Sequence, residues 1–339
     1  MPDADAPTPS QLRQPLAQRL AFLLRAARSG ARRYGASLPA FIVNRAGKLR
    51  IVPADAPHFA QAWSDLVDHP GLVAFAWLGH CSVLLRLGGL TILTDPVLGQ
   101  RIGMALGGLT FGPQRLTPAP LRVSQLPPVD VVLISHAHFD HLDRPTLTAI
   151  ARRDGRQALV LTAAQTARLI PRGFSAVHEV QWDQTVHLSS PQSSGELTLT
   201  AVKPRHWGAR NAWDRHRGYN SYLLQQRSSH GVVPRSRVLF AGDTADTSAF
   251  DGLGPLELAI MGIGAYDPWE HAHATPEQVW DMVRRMEAES VLPVHYGTFE
   301  LGDEGHDEPL SRLVVAAGAA VGRVIPAAPG EIIRWSTRT

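Results

Sequence analysis

Four candidate metal ligands stand within six residues of this chain, directly behind a run that reads as a buried strand. The run is residues 129–135, VDVVLIS, and it is apolar enough to be covered on both faces. It leads into Ser135-His136-Ala137-His138-Phe139-Asp140-His141. Alternate side chains of an extended segment point the same way. His136 and His138 can therefore share one metal ion, while the turn that follows aims Asp140 and His141 at a second. Imidazole and carboxylate together suit zinc, and also iron or manganese.

Three later positions can complete such a site. His206 follows an expected strand over 197–202. Asp243 stands in Ala241-Gly242-Asp243-Thr244, after a strand over 238–241. His295 follows a strand over 291–294. Taken singly, a histidine after a strand is more often a hydrogen-bonded structural residue. Taken with the first motif, all three read as ligands, because one rim of the sheets can collect all seven.

The rest of the chain fits an α/β fold. Residues 73–78, 82–86 and 90–94 read as a meander, with Gly88-Gly89 as one of its turns. Further strands are expected over 159–162, 221–224 and 258–262, with helices interleaved among the later ones. The clearest helix opens at Thr275 as N-cap, with Pro276 at the first position and Gln278 completing a capping box. Its apolar face is Val279, Met282, Val283 and Met286. The Gly- and Pro-rich stretch 99–128 reads as loops over the site, and 189–195 and 227–237 read as exposed turns.

The 339 residues suffice for one large domain or two small ones, and the boundary is placed at 60: an arm and lead-in over 1–60, a catalytic domain over 61–339. Between residues 11 and 50 there are nine Lys or Arg and no Asp or Glu. Leu12, Leu16, Leu20, Leu23 and Leu24 recur there at helical spacing. Arg19, Arg25, Arg28, Arg32 and Arg33 among them are candidate contacts to an anionic membrane surface. A helix that packs on the domain with its arginines in water is the alternative. The apolar run 20–24 is too short to span a membrane or to serve as a secretory signal. The single cysteine, Cys81, forbids an intrachain disulfide and fits a reducing compartment. The expectation is a cytoplasmic protein, peripheral to a membrane, with no nucleic-acid partner.

The spacing H-x-H-x-D-H with a later His, Asp and His resembles the metallo-β-lactamase superfamily. The flanks are similar to N-acyl-phosphatidylethanolamine-hydrolysing phospholipase D and its bacterial relatives. The matching stretches are Trp77-Leu78-Gly79-His80-Cys81-Ser82, Ile92-Leu93-Thr94-Asp95-Pro96, Gly112-Pro113-Gln114-Arg115, Ile263-Gly264-Ala265-Tyr266, His273-Ala274-Thr275-Pro276-Glu277 and His295-Tyr296-Gly297-Thr298-Phe299. They span about residues 73–299. The animal enzymes carry Trp where this chain has Tyr296.

The resemblance implies a four-layer αββα sandwich with two divalent ions at one edge. It implies His136, His138 and His206 on the first ion, Asp140, His141 and His295 on the second, and Asp243 between them. It places His273 near the substrate. His80 is expected to orient a loop or to hydrogen-bond to a ligand. Asp95 is expected to accept a bond from a ligand imidazole or to shape the turn before Pro96. Cys81 reads as a small buried residue on a strand. Tyr266, Trp269, His271 and Trp207 can line the cleft or simply pack.

Two ions sharing a water lower its pKa from about 15.7 toward neutrality, so a nucleophile exists at pH 7. Asp140, Asp243 and His273 are the expected catalytic groups, and a phospholipid or other phosphodiester is the expected substrate. The ligand set alone also admits a soluble lactonase, thioesterase or other phosphodiesterase. A membrane-bound scaffold is the non-enzyme alternative. A true β-lactamase is disfavoured, because the bridging aspartate is typical of the phosphodiesterase and thioesterase branches.

Overall fold

The computed structural model describes residues 56–66, 72–106, 109–190, 196–210, 213–227 and 234–336. Every described residue lies in the unit spanning 50–339. Arg19, Arg25, Arg28, Arg32 and Arg33, with the leucines among them, lie outside the described residues. The helix α1 (Ala56–Ser64) straddles the expected boundary at residue 60, and it buries Phe59 and Trp63 against the outer face of a sheet.

Two sheets carry the fold. The first contains β1 (Leu72–Trp77), β2 (Val83–Leu87), β3 (Leu90–Thr94), β6 (Val131–Ile134), β7 (Leu159–Ala163), β8 (Ala176–Val180) and β15 (Ile332–Ser336), in the order β15-β1-β2-β3-β6-β7-β8. The second contains β9 (Thr185–Ser189), β10 (Glu196–Val202), β11 (Ser221–Arg227), β12 (Pro234–Phe240), β13 (Leu256–Gly262) and β14 (Ala288–Val294), in the order β14-β13-β12-β11-β10-β9. A separate hairpin pairs β4 (Met104–Leu106) with β5 (Leu109–Phe111).

The period of two along each strand builds the layers. In β1, Val73, Phe75 and Trp77 point into the space between the sheets, while Ala74 and Ala76 point outward. In β6, Val131 and Leu133 face inward and Val132 and Ile134 outward. Both faces are covered, which is why this strand reads as an unbroken apolar run. Leu199, Tyr222, Leu224, Phe240 and Ile260 of the second sheet meet the first sheet's inward set. The outer face of the first sheet packs on α1 and on Leu147 and Ile150 of α2 (Arg144–Asp154). The outer face of the second packs on Val279, Met282 and Val283 of α3 (Pro276–Arg285) and on Leu313 of α4 (Glu308–Ala317). The layers are therefore helix, sheet, sheet, helix.

Local chemistry fixes the joints. Gly88 and Gly89 have φ of 60° and 75°, the left-handed pair that a two-residue hairpin turn demands, and they join β2 to β3. At α3, Gln278 N–H donates to Thr275 Oγ1 at 3.3 Å and Thr275 N–H donates to Gln278 Oε1 at 3.0 Å, the reciprocal capping box. At α2, Asp143 accepts from the Thr146 N–H at 3.1 Å.

Several readings shift. The stretch 99–128 is not loop throughout, because it holds β4 and β5. The region 227–237 is not turn to its end, because β12 already begins at Pro234. Cys81 is buried as expected, but it sits in the turn between β1 and β2 rather than on a strand. Among the described residues, no helix is long and apolar enough to cross a membrane.

Strand direction decides where a site can form. β2 runs antiparallel to β1 and β3, and β3 runs parallel to β6. β11 runs antiparallel to β10 and β12, while β12, β13 and β14 are parallel. The C-terminal ends of β1, β3 and β6 thus share one edge of the first sheet. Those of β10, β12, β13 and β14 share one edge of the second.

Candidate metal centre

Every expected ligand follows one of those C-terminal ends, as do the two residues expected to support them. The supporting His80 and Asp95 follow β1 and β3, and His136 through His141 follow β6. His206 follows β10, Asp243 follows β12, and His295 follows β14. Open α/β sheets collect ligands at such ends by the same logic.

The exits are sharply bent. His80, Asp95 and His295 have φ of 51°, 31° and 63°. A side chain in this left-handed region costs roughly 1–2 kcal/mol, so neighbours must hold it there. For His80 they do: its N–H donates to Thr298 Oγ1 at 2.7 Å, and its carbonyl accepts from Trp77 Nε1 at 2.7 Å. At Gly242, φ is 58° and an added Cβ would lie 2.8 Å from the Cβ of Ser135, so only glycine lets β12 deliver Asp243 beside the exit of β6.

The first cluster is His136, His138, His206 and Asp243. His206 Nδ1–H faces the Ala272 carbonyl at 2.9 Å, which leaves the lone pair on Nε2. That Nε2 lies 3.4 Å from His138 Nδ1, which is in turn 2.7 Å from His136 Nε2. Three ring nitrogens thus converge on one point. Burial and neighbouring imidazoles push His136 well below the ordinary histidine range and His138 down to about 3, so both are neutral donors. Neutral lone pairs at this separation repel unless a proton or a cation lies among them, and one proton on His138 Nδ1 cannot serve both neighbours as well as a cation can.

The second cluster is His80, Asp140, His141 and His295. Asp140 Oδ2 is 3.0 Å from His80 Nε2, 3.4 Å from His141 Nε2 and 3.5 Å from His295 Nε2. Asp95, fully buried, accepts from His141 Nδ1 at 2.6 Å and from the Ser135 N–H at 2.7 Å. A carboxylate behind an imidazole fixes its tautomer and leaves Nε2 to the ligand point. Asp243 joins the clusters. Its Oδ2 is 3.0 Å from His141 Nε2 and 3.7 Å from both His136 Nε2 and His206 Nε2, and its Oδ1 is 3.3 Å from His295 Nε2.

The fit to divalent ions can be tested on the polar atoms themselves. His141 Nε2, His295 Nε2 and Asp243 Oδ1, which face these clusters, are buried without a hydrogen-bond partner. Buried polar atoms without partners are costly and rare. Burial opposes the charge on Asp243, yet His141, His295 and His273 hold its carboxyl well below the usual range. Burial also opposes charge on His295, yet Asp243 and Asp140 raise it to about 9. Taken as protein groups alone, this edge needs positive charge at its centre, and a divalent cation supplies it by displacing imidazole protons.

The clusters form the floor of a cavity of about 250 Å³. Its walls include His273, whose Nδ1 is 4.0 Å from Asp243 Oδ2, with Trp207, Trp269, His271 and Leu301. Tyr266 is not among them: its hydroxyl donates to Glu308 Oε1 at 2.9 Å, and it packs below the surface. Two residues outside the expected set hold the motif loop. Arg210 donates from Nε to the Ala137 carbonyl at 2.6 Å and from Nη2 to the Leu142 carbonyl, with its guanidinium 4.4 Å from the ring centre of Phe139. Arg115 is buried and bonds the carbonyls of Leu78 and Val97, each at 2.7 Å, so it ties the exits of β1 and β3 together. Arg115 stood in a quoted motif, but carbonyl contacts across the fold leave no mark at Arg210.

Comparison with known proteins adds independent findings. The family model described as the beta-lactamase superfamily domain matches residues 91–296. An uncharacterized protein of Mycobacterium tuberculosis is 34% identical over 273 residues, covering 76% of this chain and 68% of that one. The N-acyl-phosphatidylethanolamine-hydrolyzing phospholipase D 1 of Caenorhabditis elegans is 27% identical over 264 residues, covering 74% and 70%. Among solved structures, an isothiocyanate hydrolase from Delia radicum gut bacteria superposes with a TM-score of 0.60 at 18% identity, covering 78% of this chain and all of that one.

Proposed function

The chain belongs to the metallo-β-lactamase superfamily and is a metal-dependent hydrolase; on that premise we propose that it is a phosphodiesterase of the phospholipase D type, acting on N-acyl-phosphatidylethanolamine-like lipids. The observation that carries this reading is the cavity: two ligand clusters joined by Asp243 on its floor, the imidazole of His273 on its wall, and Trp207, Trp269 and Leu301 around it. The similarity to the nematode phospholipase D supports the choice of substrate.

Two divalent ions held by these clusters, zinc in this reading, would supply an activated water and a positive anchor for a phosphoryl group. The protein does the rest. Asp243 sets the spacing of the two clusters. Asp140, at the cavity wall, can take a proton from the attacking water. That water's oxygen bonds to phosphorus, the bond from phosphorus to the alcohol oxygen breaks, and the proton held by Asp140 passes to the departing alkoxide by way of His273, whose imidazole burial keeps neutral before and after the transfer. The products are a phosphate monoester lipid and an alcohol. Trp207, Trp269 and Leu301 offer apolar surface to the lipid chains and thin the water around the reacting centre.

A product assay on purified protein tests this. The panel is N-acyl-phosphatidylethanolamine, a soluble phosphodiester, a lactone and a thioester, each with and without chelator. The expected result is chelator-sensitive release of phosphatidate from the lipid. Hydrolysis of the lactone or thioester alone would contradict the proposal.

A further inference from the structure

The hairpin β4–β5 belongs to neither main sheet. Its described apolar side chains face solvent: Met104 is 63% exposed and Phe111 45%, and Leu116 just beyond is 42% exposed. Scattered exposed apolar residues need no explanation, but Met104 and Phe111 are direct cross-strand partners on one short excursion, and Leu116 follows close to its base.

The base of the hairpin is built for the excursion. Gly103 and Gly112 have φ of 134° and 151°, and an added Cβ at either would lie 2.0 Å and 2.2 Å from the facing carbonyl oxygens of Phe111 and Ile102. The ribbon leaves the body through a point that only glycine permits. Beneath it, Ile102 packs with Val97, Phe299 and Leu301, and Leu301 lines the cavity of the metal centre. The hairpin therefore rises from the wall of the cleft.

Charge names the partner. Residues 96–129 contain no Asp or Glu; Arg115 is buried in the body, so the basic groups this stretch offers to the surface are the half-buried Arg101 at the base of the hairpin and the exposed Arg122. An apolar ribbon in a stretch that is only positive or neutral is complementary to an anionic lipid surface, where apolar side chains enter the acyl boundary and arginines stay at the headgroups. A protein partner held by this face would be expected to find acidic and basic groups to pair with, and the stretch offers no acidic one.

We propose that the β4–β5 hairpin is an interfacial anchor that inserts Met104 and Phe111 into an anionic phospholipid surface and seats the cleft against it. The proposal deepens the lipid reading of the site, yet its test does not depend on catalysis. Cys81 is the only cysteine and is buried, so a Met104→Cys variant of the full chain can be labelled selectively with an environment-sensitive fluorophore. On adding vesicles of phosphatidylglycerol and phosphatidylcholine, the label should shift to the blue, as it would in an apolar medium. The label reports the hairpin itself, whatever the basic segment 11–50 contributes to binding. A Met104→Asp/Phe111→Asp variant should bind those vesicles about tenfold or more weakly, while its metal content and its rate on a soluble phosphodiester stay at the parent level. An unshifted label, or a double variant that sediments with vesicles like the parent, overturns the anchor. So does a double variant that loses metal and activity on the soluble substrate, since that marks a structural role. A parent that binds vesicles through a blue-shifted hairpin but cleaves no phosphodiester leaves the anchor standing and sinks the proposed reaction instead.

Discussion

The two ligand clusters are built from different materials. His136, His138 and His206 converge as neutral imidazoles, with His206 oriented by a backbone carbonyl, that of Ala272. The second cluster is charged: Asp140 touches three imidazoles, and the buried Asp95 stands behind His141. A backbone carbonyl is a fixed dipole that comes with the fold. A buried carboxylate carries a full charge whose cost is met only when a cation or proton lies nearby. The first cluster is thus set by geometry, and the second depends on its charge balance. Among the described residues, Asp243 is the side chain that reaches the imidazoles of both.

Substitutions can break this contrast. The largest effect is expected from Asp243→Asn, which keeps the shape and removes the shared charge. Turnover should fall by at least about 10²-fold, as for other losses of electrostatic stabilisation. Steady-state kinetics on a soluble phosphodiester reads it, and near-normal turnover would show that Asp243 does not join the clusters. Next comes Asp95→Asn, which should weaken metal binding by about 10- to 100-fold. A metal-buffered titration should show the loss in one of the two ions; equal weakening of both would erase the distinction between clusters.

Gly242→Ala tests the backbone rather than the ligands. The left-handed φ alone should remove about 1–2 kcal/mol of stability, read as a lower denaturation midpoint, and the contact with Ser135 adds to it. The smallest effect belongs to Ser135→Ala. Ser135 Oγ donates to Asp95 Oδ2 at 2.5 Å, and losing one such bond should cost about 0.5–1.5 kcal/mol. A Ser135→Ala enzyme as impaired as Asp95→Asn would mean that the hydroxyl, not the carboxylate, orients His141.

The same contrast separates what the sequence reveals from what it hides. The candidate ligands were legible as a group because each stands shortly after a strand, where local pattern and chemistry coincide. His136 through His141 follow a strand that is apolar on both faces, and Asp243 follows a glycine that the structure requires. The capping box at Thr275 was legible for the same reason. The supports were hidden. The Ala272 carbonyl, Arg210 and Ser135 act through backbone or hydroxyl contacts across the fold, and such contacts favour no residue pattern nearby. The edge strands β8, β9 and β15 were hidden too. In β9, Thr185, His187 and Ser189 are exposed and only Leu188 is buried, so the alternation is faint. The hairpin at 104–111 carried a readable signal, two short apolar runs around Gly-Gly, but the surrounding glycines and prolines made the whole stretch read as loop. The boundary at 60 followed a change in composition, and composition does not register that Phe59 and Trp63 are buried together.

The central claim is that one edge of the sandwich gathers two cooperating metal sites. Elemental analysis of protein purified without chelator, paired with activity on the same sample, tests it most directly. Two clusters sharing Asp243 predict about two divalent ions per chain, with activity lost on stripping and restored on their return. Full activity at a metal content near zero would contradict it.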